Sequence, residues 1–328
     1  MAFQRSDSSA VIPRRAPDYL FLLSFFLLIA PATCAAAQAP APEAKEGLRL
    51  LYSGDADAAI TEFRKLQQHE PQSPAGFLLE ANARWWKIYC AACDIKWNLI
   101  DAFERKKMPG DDEYFALCDK AIALAESQIK KSDTAEMEFF AGMGYALKAR
   151  LHGLRYEKMP TARAGKSARD HFARAQQLDP SFADALTGLG LYNYYVDTLS
   201  TFVKVIRFML FLPGGSKKEG VKQLEQAMQR GVYSPVEARV YLARNLRNYD
   251  QQYERAAQLL APLVEQFPSN PVFRLLLGDM YAKLGRKEKS AAQFNAAKTL
   301  TIADPACAAR VQHVAQTALT SPRLAGPQ

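Results

Sequence analysis

The sequence predicts an all-α chain folded as an α-solenoid of degenerate helical hairpins. Three observations carry that prediction. Near the C-terminus Ala256 and Ser290, Leu260 and Phe294, and Leu263 and Ala297 each lie 34 residues apart. Elsewhere apolar residues fall at helical spacing, punctuated by Gly, Asp and Pro. No run alternates β-branched with polar residues over the length of a strand. A fixed period of this size marks stacked units, none of which can bury its apolar face alone.

The first unit opens at Gly54-Asp55-Ala56-Asp57-Ala58-Ala59-Ile60 and continues through Phe63 and Leu66 to Pro71. Gly54 lets the chain turn, and Asp55 or Asp57 can cap the next helix. Ala59, Phe63 and Leu66 share one stripe. The same grammar recurs at Leu277-Gly278-Asp279-Met280-Tyr281, Gly285, Phe294 and Ala297, and in the unit before it at Ala256, Leu260, Leu263 and Pro268. These residues resemble the tetratricopeptide repeat, which implies a right-handed superhelix with a concave binding face. A further unit centres on Ala168, Phe172, Ala175 and Pro180. Yet Ala59 to Ala168 spans 109 residues and Ala168 to Ala256 spans 88, neither a multiple of 34. The array therefore contains enlarged middle repeats. Helices are expected over Pro74 to Phe103, Asp112 to Lys131, Thr134 to Tyr156, Phe182 to Leu199, Lys217 to Arg230 and Pro305 to about Thr317.

The N-terminus has the three parts of a secretory signal: Arg5, Arg14 and Arg15, then the apolar run Tyr19 to Ala30, then small residues ending in Ala35-Ala36-Ala37. That run is shorter than the ~20 residues a spanning helix needs. Residues 1–37 are expected to be removed by export through the Sec route, which places the mature chain in the periplasm. Cys34 lacks the neighbours of a lipoprotein box, and Arg14-Arg15 lacks the apolar flank of a twin-arginine signal. Residues 38–45, rich in Pro and Ala, form a flexible leader. The helical domain covers residues 46–320, with a short tail over 321–328.

Lys plus Arg number 42 against 34 for Asp plus Glu, a formal charge of +8. Without the signal the balance is 39 to 32. So small an excess, with no basic stripe interleaved with aromatics, gives no support for nucleic-acid binding.

Cys90-Ala91-Ala92-Cys93 is the most chemical-looking motif. Haem attachment needs a His at position 94, which is Asp, and a thioredoxin site needs a strand where this stretch reads as mid-helix. In an oxidising compartment a disulfide among Cys90, Cys93 and Cys118 is expected, with a bridge from Cys93 to Cys118 across a hairpin turning at Pro109-Gly110; inert buried thiols are the alternative. His69, His152, His171 and His313 show neither metal nor triad spacing, and no phosphate loop or G-x-S-x-G is present. The sequence thus predicts no enzyme, no cofactor and no metal.

Tyr192, Tyr194 and Tyr195 are candidates to line a groove, against the plainer reading that they fill the core with wet hydroxyls. Trp85 and Trp86 point to different helix faces. From Phe202 to Leu212 every residue but Lys204 and Arg207 is apolar, and those two share a stripe with Ser200 and Thr201. Residues 199–212 are too short to span a bilayer; they read as a buried helix with a basic edge, or as a docking element that offers Lys204 and Arg207 to a partner or a membrane surface. The pattern Gly188-Leu189-Gly190-Leu191-Tyr192, Tyr195 to Leu199 and Phe211-Leu212-Pro213-Gly214-Gly215 resembles exported bacterial repeat proteins. It is distantly similar to the eukaryotic repeat family linked to inclusion-body clearance, a resemblance that implies no activity. The expected function is a protein–protein interaction scaffold binding a protein or peptide on a concave face. An envelope assembly factor touching membrane through 199–212, and a thiol redox protein using Cys90 and Cys93, are the alternatives. Export predicts a mature chain beginning at Gln38; intact mass of the protein secreted by a Gram-negative host checks it, and a retained Met1 would refute it.

Overall fold

The computed structural model describes residues 40–198 and 213–321. Its thirteen described helices form six hairpins and a closing helix. The first pair is α1 (Pro42–Tyr52) with α2 (Ala56–His69); α3 (Ala75–Ala91) follows, then a two-stranded insert, then α4 (Asp111–Ile129). Next come α5 (Ala135–Leu154) with α6 (Lys158–Leu178), α7 (Ala185–Thr198) with α8 (Lys217–Arg230), and α9 (Pro235–Asp250) with α10 (Tyr253–Gln266). The last pair is α11 (Pro271–Lys283) with α12 (Lys287–Thr299), followed by α13 (Pro305–Thr320).

Local chemistry places the helix ends. Asp55 caps α2 by accepting from the Ala58 N–H at 3.0 Å, and Asn270 and Asp304 do the same for α11 and α13. Gly54 takes the left-handed φ of 95° that the turn before α2 requires. The stripe residues that marked the repeats, from Ala59, Phe63 and Leu66 to Phe294 and Ala297, are all buried. Each phenylalanine lies against a glycine of its partner helix, Phe63 on Gly47 and Phe294 on Gly278, where a Cβ would collide with the ring. Burying such a ring stabilises the fold by about 2–3 kcal/mol.

The irregular spacing has a structural cause. Only two repeats separate α2 from α6, but α4, α5 and α6 run to 19, 20 and 21 residues against 13 each for α11 and α12. The remainder is the insert between α3 and α4. There the structure corrects the expected helix over Pro74 to Phe103, which ends at Ala91. β1 (Cys93–Lys96) and β2 (Leu99–Ala102) pair antiparallel, Cys93 opposite Ala102 and Lys96 opposite Leu99. Trp97 and Asn98 make the turn with φ of 49° and 57°, the twist-matched geometry of a two-residue hairpin.

The array closes on itself. Asn270 Nδ2 donates to the Tyr52 carbonyl at 2.9 Å and Ser269 Oγ to the Ser53 carbonyl at 2.6 Å, so the turn before α11 meets the first hairpin. α13 packs on α3 and β1. There Cys90 is bonded to Cys307, 217 residues away, with Cα atoms 5.1 Å apart. The expected Cys93–Cys118 bridge is therefore a misreading. Once α3 stops at Ala91, Cys93 turns into β1, and the curl of the solenoid brings the last helix to Cys90. Cys93 and Cys118 are buried free thiols. Lys204 and Arg207, the segment 199–212 and the export signal lie outside the described residues. Among the described residues no helix is long and apolar enough to cross a membrane.

A bond closing so long a loop contributes about 2–5 kcal/mol by restricting the unfolded chain. Urea melts of oxidised protein and of Cys307→Ser are expected to differ by that amount. Non-reducing peptide mapping should recover Cys90 joined to Cys307, and a fragment joining Cys93 to Cys118 would contradict the architecture.

Candidate functional site

A polar cluster in the interior is built on one face of α9. Tyr241, Arg244, Arg247 and Asn248 recur at three- and four-residue steps, which aligns them along the helix. Arg244 lies over the rings of Tyr89 and Tyr241, 5.1 and 5.2 Å from their centroids. Its Nη2 donates to Asp101 Oδ1 at 2.7 Å. The Asp101 carboxylate also accepts from Tyr89 Oη at 2.8 Å and from Asn248 Nδ2 at 3.3 Å. Arg247 is buried; it donates through Nη1 to the Ile100 carbonyl at 3.0 Å and forms an ion pair with Asp279 of α11. The Ile100 N–H in turn donates to Asp279 Oδ2 at 3.4 Å. β2 is thus held by side chains of two successive repeats, through its backbone at Ile100 and its carboxylate at Asp101.

A second polar layer lies alongside. Arg150 donates to Glu237 at 2.7 Å and lies over the Tyr241 ring, and the Trp85 and Trp86 indole N–H groups donate to Tyr241 Oη and Glu237 respectively. Both tryptophans are buried, so α3 fills the centre of the curl.

Charge balance follows from these contacts. Burial raises the Asp101 carboxyl, but the guanidinium groups of Arg244 and Arg247 outweigh it and hold the group below its ordinary value. Burial pulls Arg247 down to about 10, which leaves it cationic at neutral pH.

The tyrosines expected to line a groove divide. Tyr194 is buried, and its hydroxyl donates to the Asp250 carboxylate, which Lys217 also holds. Tyr192 donates to the Pro213 carbonyl at 2.9 Å. These two brace α7 against the start of α8 and the end of α9. Tyr195 reaches the site, its ring 6.0 Å from that of half-exposed Tyr249 and within electrostatic range of Arg244 and Asp101. The cysteines do not form the expected pair: Cys90 is bonded to Cys307, and burial raises the Cys93 thiol to about 12, so it stays protonated and unreactive. Cys90 and Cys93 therefore do not form the dithiol pair that the redox alternative used. A shallow depression beside the disulfide is lined by Asp57, Lys87 and Asp304, but Lys87 already pairs with both carboxylates.

Asp101, Arg244, Arg247, Asn248 and Asp279 escaped the sequence reading. The spacing of Arg244, Arg247 and Asn248 was visible, but three polar residues on one helix face ordinarily mark a solvated surface. What makes them interior is the insert, some 140 residues earlier in the chain.

The tetratricopeptide repeat family model matches residues 245–305, which span the end of α9 to the start of α13. No curated protein matches the sequence. Among solved structures the chain is similar to TTC0263, a thermophilic TPR protein of Thermus thermophilus, with 14% identity over 83% of this chain and 96% of that one and a TM-score of 0.32. It is similar also to YrrB, a TPR protein with an unusual peptide-binding site (18% identity, 75% of this chain and 95% of that one, TM-score 0.34). Yeast Tom70 is a third, with 10% identity, 86% and 74% coverage and a TM-score of 0.37. Scores at this level transfer no residue's role.

Because the folded Asp101 pKa lies below its unfolded value near 4, its stabilisation is present above about pH 4 and is lost as pH falls through the folded value. Asp101→Asn leaves part-buried Arg244 without its counter-charge and is expected to lower stability by about 2–4 kcal/mol at pH 7. Denaturant melts of both proteins across pH 7 to 2 should show that difference shrinking below about pH 4. A gap independent of pH would show that the carboxylate charge is not what holds β2.

Proposed function

We infer that this chain, a tetratricopeptide-repeat protein, is a non-catalytic interaction scaffold of the cell envelope that receives a protein or peptide segment at the mouth of its concave face. The observation that carries the reading is the set of side chains at that mouth. Tyr249 is 50% exposed, its ring lies against Tyr195, and Arg244 and Asn248 are close behind it on the same helix. Tyrosine and arginine supply large contact area and directed hydrogen bonds at little loss of side-chain freedom, which is why they concentrate the binding energy of interfaces. The closed curl of the array holds these groups rigidly, so little ordering is needed when a partner arrives.

Two independent features support the compartment. Residues 1–37 have the pattern of an export signal, and a structural disulfide between Cys90 and Cys307 belongs in an oxidising environment. A repeat scaffold in that setting takes partners that are themselves envelope proteins or their extended segments.

Site-specific photo-crosslinking in a Gram-negative host tests the proposal. A benzophenone amino acid at position 249 is expected to yield a discrete protein adduct in the envelope fraction. The same group at position 288, exposed on α12, is expected to yield none. Equal adducts at both positions, or none at 249, would sink the reading.

A further inference from the structure

We propose that the hairpin turn at Trp97 and the turn at Tyr156 form one docking surface for an anionic lipid bilayer. This surface is separate from the side chains around Tyr249 and does not depend on the scaffold reading. It joins exposed apolar side chains to cations that no carboxylate neutralises, the chemistry by which a protein rests on a membrane without crossing it.

Backbone conformation gives the first sign. Among the described residues four non-glycine positions have positive φ, and two of them are Trp97 at 49° and Tyr156 at 65°. A bulky side chain is strained there. Neither ring is buried in exchange, since Trp97 is 73% and Tyr156 54% exposed, whereas Trp85 and Trp86 are buried. Strain that holds a large ring out in solvent gives the isolated chain nothing, and it is explained when the ring acts on something outside the chain.

The two turns are tied together from beneath. Buried Arg155, next to Tyr156, donates to the Glu104 carbonyl at 2.8 Å and forks onto the Asp111 carboxylate with two bonds of 2.7 Å. Asp111 Oδ2 also accepts from the Met108 N–H at 3.2 Å. The Arg105 guanidinium lies 3.7 Å from the Tyr156 ring centroid, and Phe103 meets Trp97 edge to face with centroids 5.5 Å apart. Trp97, Met108 and Tyr156 therefore belong to one surface, to which Met159 adds an exposed side chain at the start of α6.

Charge selects the partner. Lys96, Arg105, Lys106, Lys158 and Arg163 are exposed and form no ion pair among the described residues, and Lys107 pairs with Asp112. Of the other carboxylates in these stretches, Asp101 and Asp111 are buried on Arg244 and Arg155, and Asp94 and Glu113 turn to Arg310 and Arg84. Glu104 and Glu157 remain, held by the Lys106 N–H and by His152. Five cations against two carboxylates disfavour a second copy of the same face, because a two-fold contact sets like charges opposite each other. They favour an anionic surface. The apolar side chains stand on turns and at a helix start, so they suit a partner that yields around separate projections. A bilayer interface does this, taking up Trp and Tyr rings at headgroup level while lysine and arginine stems lie along its apolar edge.

Vesicle sedimentation tests the proposal, using the mature chain with vesicles of phosphatidylcholine mixed with phosphatidylglycerol and with vesicles of phosphatidylcholine alone. Binding is expected to the anionic vesicles and is expected to weaken with added salt. Trp97→Gly is expected to lower the partition coefficient about tenfold, and Lys106→Gln about fivefold. Lys222→Gln, which loses the same charge on α8, is expected to leave it unchanged. Nitroxide-labelled lipid in the anionic vesicles should quench the fluorescence of the natural chain and not that of Trp97→Gly. Because glycine accepts a positive φ, Trp97→Gly should melt no lower than the natural chain; a lower melt would make the ring structural and overturn the argument from strain. No binding to anionic vesicles, or binding that Trp97→Gly leaves unaltered, overturns the proposal. Capture of an acidic protein through Trp97 without vesicle binding would make this a protein interface and overturn the lipid assignment equally.

Discussion

Arg244 and Arg247 carry two positive charges into the middle of a helical array, and the rest of the structure is arranged around that burden. A buried guanidinium is tolerated only when carboxylates and hydrogen-bond acceptors surround it. The neighbouring repeat supplies one carboxylate, Asp279 on α11. The other, Asp101, arrives on a hairpin inserted between α3 and α4. Removing the insert would strand Arg244, and removing Arg244 would strand Asp101. Each half explains the other, which is why a short hairpin with weak strand propensity keeps a fixed register there.

Placing the insert also explains the closure. To reach α9, the hairpin must cross the inside of the curl, and α3 crosses with it; Trp85 and Trp86 find their hydrogen-bond partners on α9 rather than in their own repeat. An array whose interior is filled in this way can bend until its ends meet. The meeting is secured twice, by Asn270 and Ser269 on the first hairpin's turn and by Cys307 on Cys90. The first hairpin and α3 thus meet the turn before α11 and the closing helix α13, and the array is held closed at both places.

What could be read from the sequence divides along the range of the interactions. Ala59, Phe63 and Leu66, with their counterparts near the C-terminus, were legible because the contacts that bury them lie within a helical hairpin and repeat at 34 residues. The hairpin was not. Cys93 to Lys96 alternates and Leu99 to Ala102 does not, and four residues are too few to outweigh the helical period running in from Trp85 and Trp86; the turn carries no glycine. Trp97 adopts a positive φ that non-glycine side chains rarely take, so its conformation is set by tertiary context. The disulfide failed for the same reason: nothing in the local sequence around Cys90 points to a residue 217 positions away. Of the tyrosines, Tyr194 is buried with its hydroxyl on a carboxylate, and part-buried Tyr192 donates to a backbone carbonyl.

The insert completes the electrostatics of the interior. β2 supplies the carboxylate that accepts from Arg244 and the carbonyl that accepts from Arg247, so these interior donors are met within the chain. Asp279 meets Arg247 from the neighbouring repeat, and the insert adds the Asp101 carboxylate beside Arg244.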